Sequence, residues 1–501
     1  MTVKHVDVII IGAGLSGIGM ACHLSRNNPK KTYLILEGRD AIGGTWDLFR
    51  YPGIRSDSDM FTLGYSFKPW KADQAIADGH TIREYVNEAA DEYGVRKHIN
   101  FGYRVEHANW SSEEACWYVT AQKKGSKKKE TFSCNFLVGC TGYYNYEAGY
   151  TPEFPGRDKF KGEFIHPQLW PENFDYSNKK IVIIGSGATA VTLLPSLTDK
   201  AKHVTMLQRS PSYVASVPKD DIISIQLRKV LPEKAVYHLA RSRNVALQML
   251  VYNLSKAQPK LMRSLLQKQV QVQVGNKVDM KHFTPEYNPW DERLCAVPNG
   301  DLFKVLKQGK GSVVTDHIDT FTENGIQLKS GEHLEADVII SATGLDLQLL
   351  GNATLSVDNE AYDISKAITY RSLMFSNLPN AAMIFGYTNS SWTLKADLGA
   401  EYICRVINNM DRRGMRQVVP VLKNPNVKTR PFLDFNAGYV QRALSRFPKQ
   451  GTKAPWKVKQ NYLFDLVTLK LSKLDDGVLK FSQPKKSAKK SWFKSKQAAS
   501  A

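Results

Sequence analysis

A run of apolar residues, a glycine-rich turn and a helical pattern follow one another twice in this chain, and no other feature narrows the fold as far. Val8-Ile9-Ile10-Ile11 runs into Gly12-Ala13-Gly14-Leu15-Ser16-Gly17, and Ile181-Val182-Ile183-Ile184 runs into Gly185-Ser186-Gly187-Ala188-Thr189-Ala190. In such a turn the first glycine permits a sharp reversal. The second lets a pyrophosphate approach the backbone, and the third small residue lets helix and strand pack closely. The helix N-terminus then faces the anion. Two copies predict an α/β chain with two dinucleotide-binding (Rossmann-like) domains built on parallel sheets. Further buried strands are expected at Leu34-Ile35-Leu36, Phe136-Leu137-Val138, Val204-Thr205-Met206-Leu207 and Val338-Ile339-Ile340.

The residue ending the strand after each loop separates the two sites. Glu37 lies 20 residues beyond Gly17. A carboxylate there accepts hydrogen bonds from ribose hydroxyls and repels a 2′-phosphate, so the first loop suits FAD or NAD and not NADP. The corresponding strand of the second unit ends in Gln208-Arg209-Ser210, with no acid. Arg209 can pair with a 2′-phosphate and Ser210 can donate to it, which predicts NADPH at the second loop. Arg209 read in isolation is equally an exposed turn residue.

At 501 residues the chain exceeds one hydrophobic core. The expected division is 1–145 for the first part of the FAD domain and 146–220 for a linker with the first part of the NADPH domain. Residues 221–275 form a helical insertion, 276–345 complete the NADPH domain, 346–480 complete the FAD domain, and 481–501 form a basic tail. The insertion is expected to pack on the second nucleotide unit, with Ile222, Ile223, Leu227, Leu247, Leu250, Leu254 and Leu261 at helical spacing among Arg and Lys. A basic amphipathic helix can equally lie on a membrane surface. The net charge of +20 draws on this segment and on the tail, whose Lys485, Lys486, Lys489, Lys490, Lys494 and Lys496 face no acid. A solvated tail and weak attraction to anionic lipid or nucleic acid are the two readings of that run. The six cysteines show no CxxC spacing, so free thiols and no metal site are expected. The first strand starts almost at Met1, which points to a cytoplasmic protein, with peripheral membrane attachment left open.

Two segments then restrict the chemistry. Gly44-Thr45-Trp46-Asp47-Leu48-Phe49-Arg50-Tyr51-Pro52-Gly53-Ile54-Arg55-Ser56-Asp57 is the first. Phe160-Lys161-Gly162-Glu163-Phe164-Ile165-His166-Pro167-Gln168-Leu169-Trp170-Pro171 is the second. Together they resemble the paired fingerprints of type I Baeyer–Villiger monooxygenases, class B flavoprotein monooxygenases, and every fixed position is met. Asn288-Pro289-Trp290-Asp291-Glu292-Arg293, Pro455-Trp456 and Gln460-Asn461-Tyr462 extend the likeness to the ethionamide-monooxygenase branch over roughly residues 4 to 465.

The resemblance implies an enzyme in which NADPH reduces FAD, O₂ reacts with the reduced flavin, and one oxygen atom passes to a ketone, giving an ester or lactone. Sulfides and thioamides are implied as further substrates. Carried over position by position, FAD is implied at Gly12, Gly14, Ser16, Gly17, Glu37, Gly44, Thr45, Trp46, Asp47, Asp57 and Val105. NADPH is implied at Arg55, Ser56 and Asp57, then Gly185, Ser186, Gly187, Ala188, Thr189 and Ala190, and finally Arg209 and Ser210. Arg293 matches the active-site arginine, Asp57 the carboxylate that orients it, and His166 a residue coupling nicotinamide binding to domain movement. A fixed guanidinium suits an oxyanion because it is always charged and rich in donors. Glu292 departs from the family, where many relatives carry a lysine that helps clamp the 2′-phosphate.

Rival readings make distinct demands. A pyridine-nucleotide disulfide oxidoreductase needs a cysteine pair that residues 43–55 lack. An N- or S-oxygenating flavin monooxygenase would perform no Baeyer–Villiger reaction. A basic membrane- or nucleic-acid-binding protein with a vestigial nucleotide fold would be colourless when purified. Substrate identity and oligomeric state are not encoded in any motif.

Overall fold

The computed structural model describes residues 3–292, 294–433 and 436–484, so Arg293 and the lysines from 485 onward lie outside the described residues. The chain is α/β, and the parallel strands of its two large sheets, the first mixed and the second wholly parallel, meet the expectation of two Rossmann-like units. In the first sheet Ala381–Met383, Lys129–Gly139, Lys4–Ile11, Tyr33–Glu37 and Ile99–Phe101 run parallel in that order. The register sets Ile9 beside Leu34 on one side and Leu137 on the other. Val8, Ile9 and Ile10 are fully buried, because helices and further strands cover both faces of the sheet. That double coverage is why these strands read as unbroken apolar runs.

The second sheet is wholly parallel, in the order Gly311–Thr315, His203–Gln208, Lys180–Ile184, Val338–Ser341 and Glu163–Ile165. The segments between the two sheets lie side by side. Asn145 N–H donates to the Asp346 carbonyl at 2.9 Å, Gln348 N–H donates to the Tyr143 carbonyl at 3.1 Å, and Tyr144 bridges to Leu347. Both sheets therefore join through one paired crossing.

The insertion is helical at Ile222–Leu227, Glu233–Ala257 and Pro259–Val274. Its packing corrects the sequence reading, which set the leucine stripe against the second nucleotide unit. Helix Glu233–Ala257 instead lies on the short helix Met60–Leu63 of the first unit. It buries Val236, Tyr237, Ala240, Arg241 and Val245, while Leu247, Leu250 and Leu254 face outward. Pro259–Val274 packs on the second unit, where Val270 and Val274 join Leu302 and Phe303, and the end of Glu233–Ala257 reaches that unit through Tyr252 on Trp290 and Lys256 on Asp291. Tyr237 and Arg241 can be interior because their polar atoms are satisfied. Tyr237 Oη donates to the Tyr65 carbonyl at 2.8 Å, and Arg241 Nη1 donates to the carbonyls of Phe61 at 2.7 Å and Gly64 at 2.8 Å. Helical spacing identifies a stripe but not the side of it that meets the core.

Candidate active site

Each glycine-rich loop is tightened by a carbonyl from the crossing segment. Gly12 has φ +102°, and a Cβ there would lie 2.8 Å from the Cys140 carbonyl oxygen. Gly185 has φ +141°, and a Cβ would lie 2.4 Å from the Ala342 carbonyl oxygen. The Val138–Gly142 and Ile339–Gly344 stretches, alike in sequence, thus do the same work in the two units. Gly17 closes the first loop so firmly that a Cβ would sit 1.9 Å from the Gly12 carbonyl oxygen. The counterpart of Gly17 in the second loop is Ala190, whose methyl is fully buried, while at Gly187, the counterpart of Gly14, no atom lies within 4 Å of a Cβ among the described residues.

Glu37 is 6% exposed and accepts from Ala13 N–H at 2.6 Å and Arg39 N–H at 2.8 Å. Burial pushes its carboxyl up, and those two N–H donors only partly offset this. It stands at the mouth of loop 12–17, where a ribose edge would meet it. Helix Leu15–Asn27 has Gly14 at its N-cap and no side-chain cap among the described residues, so its first N–H groups are free for an anion. Gly44 packs on Gly14, where a Cβ would lie 3.3 Å from the Gly44 Cα. Thr45 Oγ1 reaches Tyr146 Oη at 3.5 Å, and Trp46 packs on the core of the first unit. Asp47, almost fully buried, binds Arg39 at 2.6 Å, Arg50 at 2.7 Å and Arg83 at 3.3 Å. Burial raises its carboxyl, but the three guanidinium groups outweigh that and hold it below the usual range. Val105 is buried in the strand Tyr103–Ser111, at a register shift between Val105 and His107.

The fingerprint loop after Trp46 ties the two units together. A Cβ on Gly53, at φ +76°, would lie 1.9 Å from Ser196 Oγ in helix Ala188–Leu197 of the second unit. Arg55 Nη1 pairs with Asp301 Oδ2 at 2.6 Å, at the start of helix Asp301–Lys307. Ser56 Oγ donates to the Ser58 carbonyl at 2.8 Å, and Asp57 is half-buried beside it. In the second unit Ser186 Oγ and Ser212 Oγ are 2.9 Å apart, while Arg209 and Ser210 are exposed at the end of their strand. Ala188, Thr189 and Ala190 form the first turn of the following helix.

Glu292 lies within the field of Arg209. Burial raises its carboxyl, Arg209 lowers it, and Asp291 raises it again. The acid that departs from the fingerprint therefore feels the charge of the base expected to hold a phosphate.

The ring of His166 rests on Gly149, where a Cβ would lie 1.9 Å from Cε1. Its Nε2 lies 3.2 Å from the Gly344 carbonyl, and its Nδ1 accepts from Gln168 N–H at 3.2 Å. Burial lowers its pKa against the effect of the Gly344 and Tyr150 carbonyls. The residue thus pins both crossing segments. Trp170 packs edge-on against Phe174, with ring centroids 5.9 Å apart, as a packing anchor.

Sequence reasoning missed a third contributor. Helix Trp392–Arg412 begins beside the first loop, with Trp392 Nε1 donating to Ser16 Oγ at 2.7 Å. Asn389 Oδ1, Ser391 Oγ and Thr393 Oγ1 are buried there without a hydrogen-bond partner among the described residues. Orphaned polar atoms of this density are rare unless a bound group satisfies them. No spacing rule marks 389–393, so only proximity to Ser16 reveals them. Behind this turn Lys395 Nζ lies 3.1 Å from Asp465 Oδ2, which also accepts from Tyr387 Oη at 2.7 Å. Burial lowers the Lys395 pKa, opposed by Asp465. Tyr387 lines a cleft with Gln248, Tyr252, Asn389, Gln460 and Tyr462.

The flavin-binding monooxygenase-like family matches residues 4–419. The chain belongs to this family. It is 53% identical to the probable FAD-binding monooxygenase AlmA of Acinetobacter baylyi over 482 residues, 96% of this chain and 97% of that protein. It is also 53% identical to the FAD-containing monooxygenase EthA of Mycolicibacterium smegmatis, covering 96% of this chain and 98% of the relative. Among solved structures, OTEMO in complex with FAD and NADP superposes with a TM-score of 0.70 at 24% identity, covering 84% of this chain and 88% of that one. Open cyclohexanone monooxygenase superposes with a TM-score of 0.71 at 22% identity, covering 83% and 90%. For this flavin-binding monooxygenase-like chain, no helix among the described residues is long and apolar enough to cross a membrane.

Proposed function

We propose that the protein is a Baeyer–Villiger-type monooxygenase, using NADPH and O₂ to convert ketones to esters or lactones and also oxidising sulfides and thioamides. The observation that carries this reading is the convergence of both fingerprint segments on the junction of the units, through Gly53 on Ser196 and His166 on Gly149 and Gly344. An oxygenase of this kind must hold a flavin and a nicotinamide face to face across that junction. In this reading residues 1–145 and 346–480 form the FAD domain, 146–220 and 276–345 the NADPH domain, and 221–275 an insertion.

FAD would be held by Gly12, Gly14, Ser16, Gly17 and Glu37, by Gly44, Thr45, Trp46 and Asp47, and by Val105 beside the adenine. The unsatisfied atoms of Asn389, Ser391 and Thr393 fit the polar edge of such a group. The flavin, once bound, supplies the activation of O₂. Loop 185–190 would cradle the NADPH pyrophosphate on backbone N–H groups, with Arg209 and Ser210 on the 2′-phosphate and Arg55, Ser56 and Asp57 along the nicotinamide half. Arg293 would stabilise negative charge developing on the substrate carbonyl oxygen, with Asp57 fixing its orientation. His166 is a positioning residue that sets the crossing segments and so the distance between the two cofactor sites.

Arg293→Ala tests the assignment. The variant is expected to bleach under NADPH at close to the wild-type rate yet form no ester from a panel of linear, cyclic and aryl ketones. Removing one such donor typically costs about 10²–10³ in turnover. Wild-type ester yields from the variant would overturn the role of Arg293. A wild-type protein that oxidised sulfides but no ketone would overturn the Baeyer–Villiger reading itself.

Glu292 gives a second expectation. A carboxylate in the field of Arg209 weakens the attraction for a 2′-phosphate. Glu292→Lys is expected to lower the apparent KM for NADPH by about tenfold, roughly 1.4 kcal/mol of recovered charge attraction. The KM for NADH should stay within about twofold. Equal changes for both nucleotides would remove Glu292 from cofactor discrimination.

A further inference from the structure

Among the described residues, fifteen large apolar side chains are exposed, and thirteen of them fall on two neighbouring stretches, 222–272 and 463–471. They are ordered along the helices. On Glu233–Ala257, Leu239, Leu247, Leu250 and Leu254 share one outward stripe, with Arg243 continuing the spacing between the first two. On Pro259–Val274, Leu261, Leu265 and Val272 do the same, with Lys268 in the gap. In the third stretch Leu463, Val467 and Leu471 recur every fourth residue.

The charge around these stripes is one-sided. Residues 222–277 hold ten Lys or Arg and a single acid, Glu233; Arg228, Arg241, Arg243 and Lys256 pair with acids outside the segment, so the positive charge of the face rests on the other six. Lys229, Lys234, Lys260 and Lys268 are exposed beside the stripes. Lys459, Lys470 and Lys473 flank the third stretch. A second copy of the chain seated on this face would set like charges against each other. An anionic bilayer complements both features, since the leucines enter the acyl boundary and the lysines meet the phosphates.

The stripes also border the cleft. Gln248, Met249 and Tyr252 come from the same long helix, and Asn461 and Tyr462 precede Leu463. Met249 and Tyr462 pack on a shared small core of Val245, Tyr387 and Leu394, which brings the helices together. The inner wall of the cleft, Asn389 and Ser390, leads to the Trp392–Ser16 contact at the first loop.

We propose that this face docks peripherally on an anionic lipid bilayer, so that apolar substrates enter the cleft from the lipid phase. Docking stands on the surface alone; only the delivery of substrate rests on the oxygenase reading. A basic amphipathic surface of this kind lies in the interface without spanning the membrane.

Flotation of the full flavin-loaded protein tests it, with vesicles of phosphatidylcholine alone and of phosphatidylcholine with phosphatidylglycerol at 7:3. The wild type is expected to float with the anionic vesicles at 0.15 M salt and about tenfold less with the neutral ones. The triple variant Leu247→Gln/Leu250→Gln/Leu254→Gln is expected to lose about tenfold in partition to the anionic vesicles. Its flavin content, melting temperature and ester yield from a water-soluble ketone should match the wild type. Because residues 485–501 carry six further lysines, this variant, with an unaltered tail, isolates the helical face. No flotation of the wild type with anionic vesicles would overturn the proposal, and so would undiminished flotation of the triple variant. A wild-type dimer in light scattering that the triple variant splits would assign the face to a second copy instead. Loss of ester formation in the wild type would strike the oxygenase reading and leave the docking result standing.

Discussion

Gly17→Ala is expected to purify with less than about a tenth of the wild-type flavin and to resist reconstitution. The added Cβ would sit 1.9 Å from the Gly12 carbonyl oxygen and 3.4 Å from Cys140 Cβ. Neither contact can be relieved by rotating a side chain. The oxygen belongs to the turn itself, and Gly12 is already wedged against the Cys140 carbonyl. Relief requires helix Leu15–Asn27 to move off the strand Lys4–Ile11, which withdraws the helix N-terminus from the anion it would bind. Overpacking of this kind typically costs about 1–3 kcal/mol in stability, and the binding geometry is lost with it. Gly94→Ala is the matched control. It has a positive φ, +65°, which Gly17 in its helix does not, but nothing lies within 4 Å of a Cβ, so only about 1 kcal/mol of backbone strain is expected. The ratio of flavin to protein absorbance after purification decides the matter. Full flavin occupancy in Gly17→Ala would refute the steric account of the loop.

Asp397→Ala carries the largest expected loss of stability. Asp397 lies at the centre of a buried polar group on helix Trp392–Arg412. It accepts from Ser66 N–H at 2.7 Å, lies 3.1 Å from His23 Nε2, and pairs with Arg241 Nη2 at 3.4 Å. Arg241 is 7% exposed and anchors the insertion to Phe61 and Gly64. Removing the carboxylate leaves that guanidinium buried without its counter-charge, which typically costs about 3–5 kcal/mol. At roughly 2 °C per kcal/mol for a chain of this size, a fall of about 6–10 °C in melting temperature is expected. The double variant Arg241→Leu/Asp397→Ala should lose less than the two single variants together, because the orphaned charge is gone. Strict additivity would mean the pair is not coupled.

The pH dependence follows from the same group. Burial raises the Asp397 carboxyl, but the His23 hydrogen bond, the charges of His23 and Arg241, and the Ser66 N–H outweigh it, so its pKa is lowered on folding. A lowered carboxyl contributes stability that is complete above its unfolded value of about 3.9 and is lost as pH falls through the lower folded value. The melting-temperature gap between the wild type and Asp397→Ala, full near pH 5, should therefore narrow below about pH 4. A gap that widened in acid would contradict this sign.

The two loops were legible because their requirements are local. A strand, three small residues and a helix within thirty positions leave little choice of fold, and the cofactor preference proposed for each loop rests on one residue at a strand end, Glu37 and Arg209. The insertion was legible as helix but not as packing. Its leucines recur correctly, yet the interior face belongs to Tyr237, Ala240 and Arg241, which bury only because Met60–Leu63 presents carbonyls to them. Local periodicity cannot reveal acceptors 180 residues away.

Residues adjacent along the chain were enough to mark the two nucleotide units, the acid at Glu37 and the base at Arg209. Only the folded chain brings Ser16 to Trp392, Glu292 into the field of Arg209, and His166 onto Gly344. These pairs lie more than 80 positions apart, 178 for His166 and Gly344, and no local pattern joins them. Exposure of the leucine stripe belongs with them, because what a surface helix leaves uncovered is set by its neighbours and not by its own pattern.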